Sequence, residues 1–284
     1  MTSMVLTPEF WINYSKNYND EQFLDKIVRE DIYIVINKLE KTYPSISCCS
    51  YNGRDFNSFY NNLITTIKNH VQQLNIKQIL GLEWFIRPND KPKNLAELLI
   101  GKGYEKIRSD YKMGIDLETY EKDIIIKNFE FDVKKVEQEK MLEEPILKLM
   151  LANFPTQFLD SEDVKKKWSQ MVQLEEKRGN TIENFIVYTK SEHKQVALAS
   201  LLIRNDLQNI AYLNGAVTES NYRHKGIYTV LLFKRIQRCK ELGLRYITID
   251  ANQSTSGPIL KKQGFKIFDE IDTYRLKFNH DTNI

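Results

Sequence analysis

The segment from Val217 to Tyr228 has the residue types of an anion-binding turn. It runs from the end of a predicted strand, through Arg223, Lys225 and Gly226, into a predicted helix. The first N–H groups of a helix have no partner within it and lie at the positive end of the helix dipole, so such a junction can bind a phosphate. Gly226 would let a ligand approach the main chain, and the basic side chains would add positive charge. The alternative is an ordinary strand–turn–helix junction with solvated basic residues.

Two strands and a long helix must position this turn. Ile210–Thr218 is predicted as the strand before it, Gly226–Leu242 as a helix that Gly243 ends, and Tyr246–Ala251 as an alternating strand after the helix. The other elements predicted for the second half are strands at Phe129–Val136, Asn184–Thr189, Gln195–Ile203 and Phe265–Phe278, and helices at Leu142–Asn153, Glu162–Arg178 and Pro258–Gln263. An antiparallel start followed by a βαβ crossover predicts an α+β or layered α/β fold.

The first half of the chain is predicted to be a smaller αβ domain. Helical spacing of apolar residues favours helices at Glu21–Lys41 and Phe56–Leu74. A strand at Gln78–Ile86, a short helix at Leu95–Ile100 and a strand or hairpin arm at Tyr104–Leu117 follow. The charged stretch 118–127 then marks the boundary between domains 1–124 and 125–284.

Composition excludes several classes of protein. The chain has 284 residues, 42% hydrophobic and 28% charged, which is typical of one large or two small globular domains. Its 41 Lys and Arg against 38 Asp and Glu argue against nucleic acid or an anionic membrane as a partner recognised by bulk charge. It has no apolar run of the roughly 20 residues that span a membrane and no secretory signal pattern. Three cysteines and four scattered histidines predict neither a disulfide framework nor a metal site, so a cytoplasmic location is expected.

The turn and the elements around it resemble the GNAT superfamily of acyl-CoA-dependent N-acyltransferases. The family motif [Q/R]-x-x-G-x-[G/A] opens its central helix, and this chain has Arg223-His224-Lys225-Gly226-Ile227-Tyr228. The strand Tyr212–Thr218 looks like the splayed strand whose backbone pairs with pantetheine, and Gly264-Phe265 matches the pair that opens the closing strands. The resemblance spans roughly Phe129 to Phe278 and implies a GNAT-like mixed sheet flanked by helices.

This resemblance implies acetyl-CoA as cosubstrate and no metal. The residues expected to bind it are Ala216, Val217, Thr218, Arg223, His224, Lys225, Gly226, Ile227, Tyr228, Asn252 and Ser254. One departure from the family lies among them, because Tyr228 stands where the motif has Gly or Ala and could crowd the phosphates.

The resemblance also implies direct attack of an amine on the thioester, assisted by a general base. Asp250 is the first candidate for the base and Glu219 the second; the alternatives are a turn cap and a solvated loop residue. Leu260 stands where many members carry the tyrosine that protonates the CoA thiolate. Tyr228 is the catalytic candidate that we retain for this role, with Tyr222, Tyr274 and water as alternatives.

The first half carries a weaker echo of the same family. Trp84-Phe85-Ile86-Arg87-Pro88, Leu95–Leu99, Gly103-Tyr104 and Tyr111–Leu117 resemble the closing part of a GNAT domain, without the glycine motif. This half is therefore interpreted as a degenerate GNAT-like partner domain; an unrelated helical cap is the alternative.

The predicted function is an N-acetyltransferase acting on a primary amine of a small molecule or peptide. An acyl-CoA-binding regulatory module with little turnover is the first alternative, and a nucleic-acid-binding protein is the second. We expect no membrane and no nucleic acid as partners, and a homodimer is left open.

Overall fold

A computed structural model gives the three-dimensional arrangement of the chain. It describes residues 7–8, 24–28, 32–37, 41–42, 44–47, 51, 53, 55–74, 76, 78–122, 130–153, 160–207 and 209–278. The chain forms two compact units: the first comprises Met1–Lys112, Ala251–Gly257 and Ile267–Ile284, and the second comprises Met113–Asp250 and Pro258–Lys266. The boundary between residues 124 and 125 stays a prediction, because it rests on sequence composition alone.

The first unit is built on a mixed sheet. Its strands are β1 (Leu24–Val28), β2 (Tyr33–Asn37), β3 (Lys41–Thr42), β4 (Ser45–Ser47), β5 (Gln78–Ile79), β6 (Gly81–Ile86), β7 (Glu105–Asp116) and β13 (Lys266–Lys277), and its helices are α1 (Phe56–Gln73) and α2 (Leu95–Gly101). The neighbour order is β1-β2-β4-β6-β13-β7, with β3 and β5 forming a separate parallel pair. The chain end predicted as several strands at 265–278 is the single strand β13.

The helix predicted at Glu21–Lys41 is wrong, because part of this segment forms the antiparallel pair β1 and β2. Leu24 pairs with Asn37 and Val28 with Tyr33. Ile32, Ile34 and Ile36 stand at every second position and are all buried, as is Tyr33, and β-branched side chains favour the strand conformation.

Helix α1 confirms the second predicted helix of the first half. The Asp55 side chain accepts hydrogen bonds from the backbone N–H groups of Asn57 and Ser58, which caps the first turn. The helix buries Phe56, Tyr60, Leu63, Ile67 and Val71 against a core that includes the fully buried Trp84.

The second unit confirms the predicted elements around the basic turn. Its strands are β8 (Phe131–Val136), β9 (Thr181–Thr189), β10 (Gln195–Arg204), β11 (Ile210–Thr218) and β12 (Tyr246–Asn252), and its helices are α3 (Glu144–Asn153), α4 (Ser161–Lys177), α5 (Ile227–Glu241) and α6 (Ser256–Lys262). The neighbour order is β12-β11-β10-β9-β8. All neighbours are antiparallel except β11 and β12, which are parallel and are connected through α5. A mixed sheet flanked by helices confirms the predicted α+β fold.

Candidate functional site

The two parallel strands of the second unit separate along their length. Strands β11 and β12 pair at three positions, from Ile210 with Tyr246 to Tyr212 with Thr248. Both strands continue beyond this point, and continuing the register would bring Asp250 opposite Asn214. Because β12 has diverged there, the edge of β11 from Leu213 to Thr218 is not paired with it. We call this opening the strand gap.

A β-bulge lies in β11 beside the strand gap. Ala199 of β10 faces Ala216, but the next residue, Ser200, faces Asn214, so Gly215 has no opposite residue on β10. Gly215 is exposed and has a φ of 29°, in the left-handed region that glycine adopts without a Cβ clash. A bulge re-aims the local backbone, and here it does so where β11 borders the gap.

The basic turn ends at an open helix N-terminus, which we call the anion cradle (residues 223–229). Gly226 caps helix α5 with a φ of 77°, and no side chain caps the helix. The hydrogen bond from Val230 N to Gly226 O is 3.0 Å long. The N–H groups of residues 227–229 precede this bond and have no acceptor within the helix. A Cβ placed on Gly226 would meet no atom within 4 Å, so the space beside these groups is open.

The side chains of the turn are partly engaged with one another. Arg223 donates from Nε to the carbonyl of Thr218 at 3.2 Å, which ties the turn to the end of β11. Lys225 and Lys194 lie over the Tyr222 ring, with Nζ 5.1 and 5.2 Å from its centroid. His224 is exposed with a φ of 63°. Two ammonium groups therefore lie against the ring of Tyr222.

The carboxylate of Glu219 forms an ion pair with Lys194. The Nζ–Oε1 distance is 2.9 Å, and the hydrogen bond raises the pKa of Lys194 above its usual value. A general base must offer a lone pair to the amine, and this ion pair engages the Glu219 carboxylate, so Glu219 would have to leave Lys194 to act as one.

The hydroxyl of Tyr228 is turned into the protein interior and has no hydrogen-bond partner among the described residues. Burial raises the pKa of this phenol, and the nearby Arg235 opposes the shift only in part. A phenol with a raised pKa is a weaker proton donor. Tyr228 was expected to crowd the phosphates, whereas its hydroxyl is buried on the inner side of α5.

The remaining candidates lie in different places. Asp250 is exposed on β12, beyond the point where that strand leaves β11. Asn252, the last residue of β12, and Ser254 fall within the first unit, and Asn252 Oδ1 accepts hydrogen bonds from Ser254 N at 3.0 Å and Ser254 Oγ at 2.7 Å. Leu260 is buried on α6, and Tyr274 is buried in the core of the first unit.

Arg235 also contacts the strand beside the bulge, and no sequence motif pointed to it. Its side chain is 0% exposed on the inner face of α5. It donates from Nε to Leu231 O and from Nη1 to Ser200 O, both at 3.1 Å. A single arginine on an otherwise apolar helix face was the available signal, as the glycine inside β11 was for the bulge.

No cluster of three or more His, Cys, Asp or Glu side chains among the described residues could hold a metal ion. No helix in the described part of the chain is long and apolar enough to cross a membrane.

Comparisons with known proteins agree with this geometry. Residues 144–265 match the family model described as the acetyltransferase (GNAT) family. No curated protein matches the chain. The fold is similar to a GCN5-related N-acetyltransferase from Sphaerobacter thermophilus, with a TM-score of 0.66 and 13% identity over 97% of this chain and 87% of that one.

Two further solved structures share the fold. A protein of unknown function from Staphylococcus epidermidis has a TM-score of 0.65 and 15% identity, over 94% of this chain and 98% of that one. A tandem GNAT protein from the clavulanic acid biosynthesis pathway has a TM-score of 0.58 and 11% identity, over 89% of this chain and 82% of that one.

Proposed function

We propose that this chain, whose residues 144–265 match the acetyltransferase (GNAT) family model, transfers an acetyl group from acetyl-CoA to a primary amine of a small molecule or peptide. The observation that carries the proposal is the continuity of β11 with the anion cradle. One strand–turn–helix segment offers an unpaired strand edge and then an open helix N-terminus with a left-handed glycine. An elongated ligand with amides at one end and phosphates at the other matches this sequence of groups.

The cradle would hold the phosphates of the cosubstrate. The N–H groups of residues 227–229 can donate to phosphate oxygens, and the dipole of α5 favours negative charge there. Lys225 and His224 are exposed on the same turn and would add donors. Along β11, backbone groups of residues 216–218 would pair with the pantetheine amides, as a further strand would pair with an edge.

The bulge would place backbone at the thioester. The amine nitrogen forms a bond to the thioester carbon, the carbon–sulfur bond breaks, and the proton lost by the nitrogen reaches the CoA sulfur through the base and solvent. Negative charge develops on the carbonyl oxygen, and a backbone N–H at the bulge of Gly215 could stabilise it without reorganisation.

We propose Asp250 as the general base. It is exposed on β12 just beyond the point where that strand leaves β11, on the far side of the strand gap. The burial of the Tyr228 hydroxyl and the apolar side chain of Leu260 support water as the proton donor to the thiolate. Asn252 and Ser254 stay predictions for contacts with the cosubstrate.

The second candidate function is an acyl-CoA-binding module without turnover. The observation that favours it concerns the two positions considered for a proton donor to the CoA thiolate. Leu260 has no proton to give, and the Tyr228 hydroxyl is buried. Such a module would bind acetyl-CoA in the same cradle.

Release of free CoA thiol separates these functions. The full chain is incubated with acetyl-CoA and a panel of polyamines, amino sugars, amino acids and peptides with free N-termini. The enzyme predicts thiol release at least about a hundredfold above the reaction without protein for one class of amine, and its loss in Asp250→Asn. Binding of acetyl-CoA without thiol release for any class would contradict the enzyme and support the module.

A further inference from the structure

The side chain of Arg235 carries a buried charge that the proposed chemistry does not use. It is 0% exposed, and no carboxylate among the described residues forms an ion pair or hydrogen bond with it. Its Nη2 atom has no hydrogen-bond partner there. Burial lowers the pKa of the guanidinium to about 10. An apolar side chain of similar volume would avoid this desolvation cost, so the contacts of Arg235 need an explanation.

Those contacts join two parts of the candidate site. Arg235 lies two turns along α5 from the anion cradle, and its Nε donates to the carbonyl of Leu231 one turn nearer. Its Nη1 donates to the carbonyl of Ser200 at 3.1 Å. Ser200 is the β10 residue at which the register with β11 shifts, so the guanidinium links the helix of the cradle to the base of the bulge.

Ser200 is also held from its side chain. Its Oγ donates to Asn184 Oδ1 of β9 at 2.7 Å, and Asn184 Nδ2 donates to Gln138 Oε1 at 2.8 Å. Ser200 and Asn184 are each 1% exposed and the guanidinium is 0% exposed, whereas Gln138 is partly exposed. Such satisfied polar networks hold their members in one arrangement. Ser200 is therefore fixed through its side chain to β9 and through its carbonyl to α5.

We propose that Arg235 is a positioning residue that holds the bulge of β11 in register with the helix of the anion cradle. The bulge then keeps the backbone around Gly215 aimed at the strand gap, where the proposed function places the thioester. Arg235 acts through Ser200 and touches no substrate. This inference rests on the proposed function, because its test measures the binding of acetyl-CoA. It predicts that Arg235 affects the contacts made by the part of acetyl-CoA beyond the phosphates, in the strand gap.

The test compares two ligands on folded full-length variants. Acetyl-CoA spans the cradle and the strand gap, whereas adenosine 3′,5′-bisphosphate carries phosphates but no pantetheine or thioester. Their dissociation constants are measured by calorimetry on the unaltered protein, Arg235→Met and Arg235→Lys. Cys239→Ala is the matched control, because Cys239 is also fully buried one turn further along the same face of α5.

Arg235→Met should weaken acetyl-CoA about tenfold or more, the range expected for loss of a hydrogen bond from a charged group, and should leave the bisphosphate within about twofold. Lysine keeps the charge but cannot reproduce both directed bonds, so Arg235→Lys should behave like the methionine variant. Cys239→Ala should change neither constant. Amide hydrogen exchange should rise in peptides that cover residues 211–217 in both arginine variants and not in the control.

Three outcomes would overturn the inference. These are an equal loss for both ligands, unchanged acetyl-CoA binding in Arg235→Met, and failure of both arginine variants to fold, which would make Arg235 a residue of the core alone. If the unaltered protein binds the bisphosphate but shows no stronger binding of acetyl-CoA, the proposed function fails instead, and the hydrogen-exchange comparison still decides whether Arg235 holds the bulge.

Discussion

Substitution of Gly226 distinguishes an anion cradle from an ordinary helix start. The residue has a φ of 77°, where a side chain costs about 1–2 kcal/mol, and Asn and Asp tolerate this region best. A Cβ there meets no atom within 4 Å, so neither substitution adds a clash. Gly226→Asn and Gly226→Asp therefore share the backbone cost and differ by one negative charge.

That charge would face the phosphates of acetyl-CoA. A carboxylate about 5 Å from one phosphate charge is repelled by about 0.8 kcal/mol in water, and by about 3 kcal/mol at an effective dielectric constant of 20. With two phosphate charges nearby, we expect a difference of at least about 2 kcal/mol between the variants, or roughly thirtyfold in Kd.

Calorimetric titration with acetyl-CoA at two salt concentrations measures this difference, and thermal unfolding checks that the two variants are equally stable. Because the cradle is exposed, added salt should narrow the gap between Gly226→Asn and Gly226→Asp. Equal affinity of the two variants at low salt would refute the placement of the phosphates at this helix N-terminus.

Three other predictions concern the second unit. The pKa of the buried Glu183 carboxyl lies below its ordinary value of 4.5. Burial would raise this pKa, but the hydrogen bonds and charges of Arg238 and Lys135 outweigh the burial. Glu183→Gln should therefore lower the free energy of unfolding by about 1–3 kcal/mol at pH 7. The difference between this variant and the unaltered protein should vanish as the pH falls through the lowered pKa. Denaturant titrations that give the same difference at pH 7 and pH 2 would contradict this. Asp250→Asn should lower kcat about a hundredfold with little change in the KM of acetyl-CoA, whereas Glu219→Gln should stay within about threefold; the reverse order in steady-state rates would exchange their roles. Tyr228→Phe removes an unpaired buried hydroxyl and should leave or raise the melting temperature; a kcat loss of about a hundredfold would restore Tyr228 as the proton donor.

The cradle could be predicted from the sequence because its signals are local. The strand Ile210–Thr218 has the predicted bounds, and α5 begins one residue after the predicted Gly226. A basic turn, a glycine and an amphipathic helix are adjacent in the chain, so no distant contact is needed to recognise them. The helix prediction for Glu21–Lys41 was wrong because it relied on a few apolar residues at helical spacing. The isoleucines at every second position, Ile32, Ile34 and Ile36, are typical of a strand and are all buried.

The bulge and its support could not be derived from local pattern. A glycine inside β11 indicates a bulge in general, but its place follows from the pairing of Ser200 with Asn214, which depends on two strands. The contact of Arg235 with Ser200 joins residues 35 positions apart. The orientation of the Tyr228 hydroxyl likewise depends on the packing of α5 on its sheet.

Calorimetric titration of the unaltered full chain with acetyl-CoA is the most direct test of the proposed transferase. We expect one site per chain with a Kd in the micromolar range, weakened by added salt because the phosphates would lie in the cradle. No binding at millimolar acetyl-CoA would contradict the placement of this ligand along the strand gap and the cradle, and with it the proposed transfer.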